Sequence, residues 1–508
     1  MRHEHPMGPR PQHARLAIAL IAAVTLAAPP VALAREPAPE VLRRAIDRIA
    51  GRPQFSAAFW GIEIRSLKTG KILYSRNAGK NLKPASTFKL LTTAAALDAL
   101  PPDERIRTTV ETAGTLDPSG RLTGDVYLVG RGDANLSGRL VEGRYVDSAA
   151  RPGERRITAE LEQLAQQLMA AGVSRVEGRL IGHEGLFKGD RRGQDWAWED
   201  LVWSYGAEVS ALSWNDNCAD LKASAGARPG DALVVERNPI SSYYQVVSTA
   251  TTSPAGTKSD LTLVRDSGSN VIKLSGTHPL GEKAWEGSVA LEDPARYATT
   301  VFSEVLENTG IHFEGAIATS SDPLPEGLRV LAAHDSPPLA EIVKAINKPS
   351  QNLHTEILLR LLGARVKGEG SVDAGHEAVR DFLGRSGVAP EPGALRDASG
   401  LSRSDLLQPH EIVNLLVAMD RHARAKEFRD SLPSAGVDGT LSNRMKGTPA
   451  EGRIVAKTGS IRHVNALAGY ATNGDGDRFA LSIVLNAFTG QPHDAVAAID
   501  EIATLLVR

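Results

Sequence analysis

The segment Pro84-Ala85-Ser86-Thr87-Phe88-Lys89 holds a hydroxyl and an amine three residues apart. On a helix, positions i and i+3 share a face, so Ser86 and Lys89 can meet. A serine hydroxyl is a weak nucleophile until a neighbouring base takes its proton. A lysine serves as that base only if desolvation or a nearby cation lowers its pKa. Phe88, Leu90 and Leu91 offer apolar surroundings. A helix start adds free N–H groups and the favourable end of the dipole. By itself the string is weak, since a Ser-x-x-Lys pattern turns up by chance about once in a chain of this length. The plain alternative is a helix capped by Ser86 with a solvated Lys89.

Two further segments carry groups of the same kind. Ser350-Gln351-Asn352 follows Asn347-Lys348-Pro349 and precedes the helical run Leu353 to Leu362. Ser350 there is either a proton relay beside Lys89 or a helix cap, and Asn352 is a candidate holder of a substrate amide. Ser213-Trp214-Asn215 repeats the pattern elsewhere, so the tripeptide alone decides nothing. Lys457-Thr458-Gly459-Ser460 follows the β-like Arg453-Ile454-Val455-Ala456. It offers a charge, two hydroxyls for a carboxylate, and a backbone N–H suited to an oxyanion hole. The small residue in third place lets a substrate lie along the strand. Lys68-Thr69-Gly70 matches the tripeptide but reads as a hairpin turn.

These segments need a frame. Residues 36–52 show helical spacing (Val41, Leu42, Ala45, Ile46, Ile49). A hairpin follows, Ala57 to Ile64 and Ile72 to Tyr74, turning at Lys68 to Lys71. The Ala- and Leu-rich run after Ser86 predicts a buried helix to about Leu100, with Pro84 near its first turn. From about 105 to 295 short β-like runs dominate, interrupted by a helical stretch from Ala159 to Ala171. From Tyr297 helices return, at Ala298 to Glu307, Leu339 to Ala345, Leu353 to Leu362 and Gly375 to Leu383. Ala466 to Tyr470 and Phe479 to Leu485 predict core strands, and Asp494 to Leu506 a closing amphipathic helix. The predicted fold class is α/β. One domain, 35–104 with 296–508, is split by a mostly β insert at 105–295.

The 508 residues suffice for two or three domains. With 42% apolar residues, 23% charged residues and a net charge of −2, the chain is a globular protein with no nucleic-acid signature. Arg2, Arg10 and Arg15 precede an apolar run from Leu16 to Ala28, and Ala32-Leu33-Ala34 suits a signal peptidase. Residues 1–34 are therefore expected to be a signal peptide rather than an anchor helix, leaving no transmembrane anchor after cleavage. The single cysteine, Cys218, excludes an internal disulfide.

Taken in order, Ser-x-x-Lys, Ser-x-Asn and Lys-Thr-Gly-Ser form the motif set of penicillin-binding proteins and serine β-lactamases. With the long insert, the chain resembles the D-alanyl-D-alanine carboxypeptidase/endopeptidase family of penicillin-binding protein 4 type (peptidase family S13). Gly130 to Asp133, Tyr205 to Ala207, Ser210 to Ser213, Asn215 to Asn217 and Asp397 to Arg403 look like that family too. Gln351 stands where Asp is often found, and an acidic substrate-facing position of some members aligns with Asn215, or with Asp216 in a slipped register.

The resemblance implies a β-lactamase/transpeptidase-like domain in a periplasmic or secreted enzyme without metal or cofactor. Its partners would be peptidoglycan stem peptides and β-lactam antibiotics, and it leaves a homodimer open. Ser86 would be the nucleophile, Lys89 the base and Ser350 the relay. Asn352, Lys457, Thr458, Ser460 and Arg403 would bind substrate, and the N–H groups of Ser86 and Ser460 would hold the oxyanion. A serine β-lactamase rarely carries so large an insert. A non-catalytic wall-binding protein would be expected to lack Ser86 or Lys89. A zinc hydrolase is disfavoured because His183-Glu184, His376-Glu377 and His410-Glu411 each lack a second His four residues after the first. No Gly-x-Ser-x-Gly elbow occurs either.

Overall fold

The structure is a computed structural model that describes residues 39–136, 139–141, 144–145, 157–389, 391 and 393–507. The expected signal peptide lies outside the described residues. Along the chain come helix α1 (Pro39–Ala50), strands β1 (Phe59–Ser66) and β2 (Ile72–Arg76), and helix α2 (Lys89–Ala99). The next region holds β3 (Arg107–Thr112), β4 (Val126–Val129), α3 (Ala159–Ala170) and β5 (Leu180–His183). It continues with β6 (Cys218–Ser224), β7 (Val234–Asn238), β8 (Trp285–Ala290), α4 (Pro294–Thr309), β9 (Ile317–Ser320) and β10 (Arg329–Asp335). Helices α5 (Leu339–Asn347), α6 (Asn352–Lys367), α7 (Val372–Arg385), α8 (Pro409–Asp420) and α9 (Ala425–Ser431) follow. Strands β11 (Ile454–Ile461), β12 (Val464–Thr472) and β13 (Arg478–Asn486) and helix α10 (Pro492–Thr504) close the chain.

The two ends of the chain build one antiparallel sheet in the order β2-β1-β13-β12-β11. Its strands are covered on both faces, which is why β13 reads as an almost unbroken apolar run. Alternation still sorts its side chains. Phe479, Leu481, Ile483 and Leu485 join Leu42, Ile46 and Ile499 in the core under α1 and α10. Ala480 faces the other core, built from α2 and α5 to α9 around Leu90, Leu358, Leu416 and Phe428. The result is a three-layer α/β/α domain that holds the three motifs.

The inserted region has its own core. A mixed five-stranded sheet runs β9-β5-β4-β3-β10, and a second sheet runs β7-β6-β8. The change of texture at 296 does not mark the return to the first domain. Tyr297, Val301, Phe302, Leu306 and Ala332 pack in the insert's core, and β9 and β10 edge its larger sheet. Packing with the first core resumes at Leu339. Helical periodicity reports an apolar face but not which core receives it.

Candidate active site

Ser86 sits in a 3-10 turn, Ala85–Phe88, that leads into α2. Ala85 enters that turn at φ +46°, a left-handed conformation rare for a residue with a Cβ and frequent at functional sites. Lys89, one turn on, is fully buried, and its Nζ donates to Ser86 Oγ at 2.9 Å, Asn352 Oδ1 at 2.7 Å and the Ser399 carbonyl at 2.8 Å. Three acceptors match the three protons of an ammonium. The neutral amine would keep two of these bonds and turn its lone pair to the Ser86 hydroxyl. Burial pulls Lys89 down to about 7, against the charges of Asp397, Glu356 and Asp405, which hold it up. An apolar wall and a neighbouring cation were the expected sources of this lowering. Burial leads at Lys89, and burial first with Lys89 second holds Lys457 well below the usual range.

Ser350 follows Pro349 at φ +70°, again left-handed, and accepts from Lys457 Nζ at 2.7 Å. It does not cap α6. Gln351 does, accepting from Leu353 N at 3.1 Å. Ser350 is thus paired with the second lysine, Lys457, where the sequence placed it beside Lys89. Both ends of the Asn352 amide are engaged within the protein, Oδ1 by Lys89 and Nδ2 by the Tyr205 carbonyl at 2.9 Å. This geometry makes Asn352 a holder of Lys89 as well as a cleft residue.

Strand β11 is the opposite wall. Lys457 points under the cleft, Thr458 donates to Thr440 Oγ1 at 2.7 Å, and Ser460 is exposed at the mouth. Gly459 does not open space for a substrate. A Cβ there would lie 2.7 Å from the Pro84 carbonyl oxygen and 3.2 Å from Ala85 Cβ, so the glycine lets the Ser86 turn pack against the strand.

Ser86, Ser350, Asn352, Arg403, Thr458 and Ser460 line one cavity of about 460 Å³. Lys89 and Lys457 lie beneath it, bonded to Ser86 and Ser350. All eight residues singled out in the sequence therefore meet at one place.

The acid does not sit where the alignment of motifs put it. Asn215 and Asp216 are buried in the insert. Asn215 accepts from Arg139 Nε at 2.9 Å, and Asp216 meets His354 Nε2 at 2.8 Å and Gln351 Nε2 at 3.0 Å. The carboxylates that line the cavity are Glu199 and Asp200, with Tyr205 and Arg462 beside them. Tyr205 Oη donates to Asp200 Oδ1 at 3.2 Å, and the Arg403 guanidinium approaches Asp200 at 3.9 Å. Burial pushes the Asp200 carboxyl up. Trp198-Glu199-Asp200 forms a short 3-10 turn without helix or strand periodicity, so pattern reading passed over it.

Fold and site together define a serine hydrolase of the penicillin-binding type. The chain belongs to the D-Ala-D-Ala carboxypeptidase 3 (S13) family, whose profile matches residues 42–506. A D-alanyl-D-alanine carboxypeptidase from an Actinomadura species is 33% identical over 92% of this chain and 84% of its own. The D-alanyl-D-alanine carboxypeptidase DacB of Haemophilus influenzae is 26% identical over 84% of this chain and 85% of its own. The crystal structure of penicillin binding protein 4 (dacB) from Haemophilus influenzae shares the fold, with TM-score 0.77 and 24% identity, over 90% of this chain and 97% of that one. This chain is accordingly a serine-type D-Ala-D-Ala carboxypeptidase. Among the described residues, no helix is long and apolar enough to cross a membrane.

Proposed function

We propose that Ser86 is the nucleophile and Lys89 its base in cleavage of peptidoglycan stem peptides through an acyl-enzyme. The observation that carries this is the 2.9 Å contact between Ser86 Oγ and a fully buried lysine amine. Neutral Lys89 takes the hydroxyl proton as Ser86 attacks the carbonyl carbon of a D-Ala–D-Ala bond. The backbone N–H groups of Ser86 and Ser460 stabilise the oxyanion. Ser350, on the buried Lys457, passes a proton to the leaving amine. Thr458, Ser460 and Arg403 hold the terminal carboxylate, with Lys457 adding charge from below. Water then hydrolyses the ester at Ser86.

The same attack at a D-Ala–diaminopimelate cross-link gives the endopeptidase reaction. Asp200 and Glu199, which line the cavity, would receive an amine of the third stem residue. A β-lactam mimics the scissile amide and acylates Ser86. Such substrates put the working enzyme outside the cytoplasmic membrane, in the periplasm or secreted, as the basic-then-apolar N-terminus suggests.

A stem pentapeptide ending in D-Ala-D-Ala tests the reading. The parent releases D-Ala, and Ser86→Ala lowers the rate roughly 10³-fold or more. Release by Ser86→Ala at the parent rate overturns it.

A further inference from the structure

Residues 352–363 of α6 are buried throughout, a setting in which a helix is expected to be apolar all round. Yet α6 carries Asn352, Glu356 and Arg360 at i, i+4 and i+8, a polar stripe along one face, besides His354 and Thr355. Glu356 is 0% exposed and Arg360 1%. A buried carboxylate is costly unless it is paired and fully hydrogen-bonded. Glu356 is both. Its Oε1 accepts from the backbone N–H groups of Ala398 at 2.9 Å and Ser399 at 3.0 Å, and its Oε2 lies 3.3 Å from the Arg360 guanidinium. Arg360 is held in turn by the Asp190 carbonyl at 3.1 Å.

The segment that Glu356 clamps is the one that touches Lys89. The Ser399 carbonyl accepts from Lys89 Nζ at 2.8 Å. Asp397 fixes the rest of the turn, accepting from Gly400 N at 2.7 Å and Ser402 N at 2.8 Å. One face of α6 thus supplies Lys89 with a direct acceptor, Asn352, and four residues on with the anchor of a second acceptor.

We propose that Glu356 is a positioning residue for the Ser86–Lys89 pair, holding the Ser399 carbonyl so that Lys89 is aimed at the nucleophile and keeping a negative charge behind it. This rests on the reading of Lys89 as the base. The charged groups facing Lys89 are Glu356 from α6, Asp397 and Asp405 from the adjoining loop, and Lys457 from β11, with Arg360 behind Glu356. Burial, with the charge of Asp397 behind it, pushes the Glu356 carboxyl up to about 7, while Arg360, the Ala398 N–H and the Ser399 side chain favour its ionised form. Ionised Glu356 stabilises the Lys89 ammonium, so removing its charge lowers the lysine further.

The test is the pH dependence of penicillin acylation per folded molecule, with folding checked by circular dichroism. Glu356→Gln keeps an acceptor for the loop but removes the charge. Its acylation midpoint moves to lower pH, by half a unit or more at roughly one charge lost, and its plateau rate falls about tenfold. Glu356→Asp keeps the charge but does not reach the loop N–H groups. Its plateau falls about tenfold with the midpoint unmoved, and it carries the test if the Gln variant does not fold. Parent-like rates and midpoints in the folded variants overturn the proposal. So does a loss that only tracks the folded fraction. A parent that takes no penicillin contradicts the Ser86–Lys89 reading itself, which is a different failure.

Discussion

Gln351 Nε2 donates to Asp216 Oδ2 at 3.0 Å, and this contact ties the inserted region to the turn that carries Ser350. Gln351, which stands where an Asp was expected from the sequence, is therefore the partner of Asp216. Asp216 is buried and also meets His354, so an Asp at 351 would set carboxylate against carboxylate.

Gln351→Asp is expected to cost about 1–3 kcal/mol of stability, the range for a buried polar group that loses its partner. Acylation slows as the left-handed Ser350 turn loosens. Adding Asp216→Asn restores a hydrogen bond of reversed direction and recovers most of both losses. Thermal melts and penicillin acylation rates of the single and double variants check the coupling. Additive losses would show that the contact is not shared.

Gly459→Ala forces the Pro84 carbonyl and Ala85 away from β11. The expected result is a folded protein whose acylation rate falls by about 10²-fold, because a displacement near 1 Å at the nucleophile is enough for that. Acylation kinetics beside a circular dichroism spectrum read it. A parent-like rate would mean the turn adapts.

Lys89 acts as a base only when neutral. With its pKa near 7, the acylation rate falls as pH drops below that value and levels off above it. Lys89→Arg keeps the charge, cannot give up a proton, and loses roughly 10³-fold or more. The same lysine bears on folding. Its unfolded pKa is near ~10.4, so between about 7 and about 10 the unfolded chain holds a proton that the folded one lacks. Stability contributed through this residue therefore rises with pH across that window. Acylation rates and denaturant midpoints between pH 6 and about 10 read both effects.

The frame of the site was largely legible. The apolar run Phe479 to Leu485 and the helix-like runs after Ser86 and Ser350 belong to elements buried all round, and local pattern shows them in the sequence. The seven motif residues were legible because order and local context together narrow a choice that no single motif makes, and Arg403 came from the resemblance alone. What escaped depends on distant partners. The insert's end at about 335 instead of 296 is decided by which core α4 meets. Gly459 reads as a substrate groove until the Ser86 turn is seen pressed against it. Asp200 lies in an irregular turn, and its cleft-facing role rests on Tyr205 and Arg403, one near in sequence and one far. Glu356 carries no local sign of its setting, because the burial of residues 352–363 on every side is decided by the fold.

The most direct test of the account is to acylate the protein with a penicillin, digest it and locate the adduct by mass spectrometry. The account predicts one penicilloyl group per molecule, on the peptide carrying Ser86, absent from Ser86→Ala and formed far more slowly by Lys89→Arg. An adduct on any other residue, or undiminished labelling of Ser86→Ala, would contradict it.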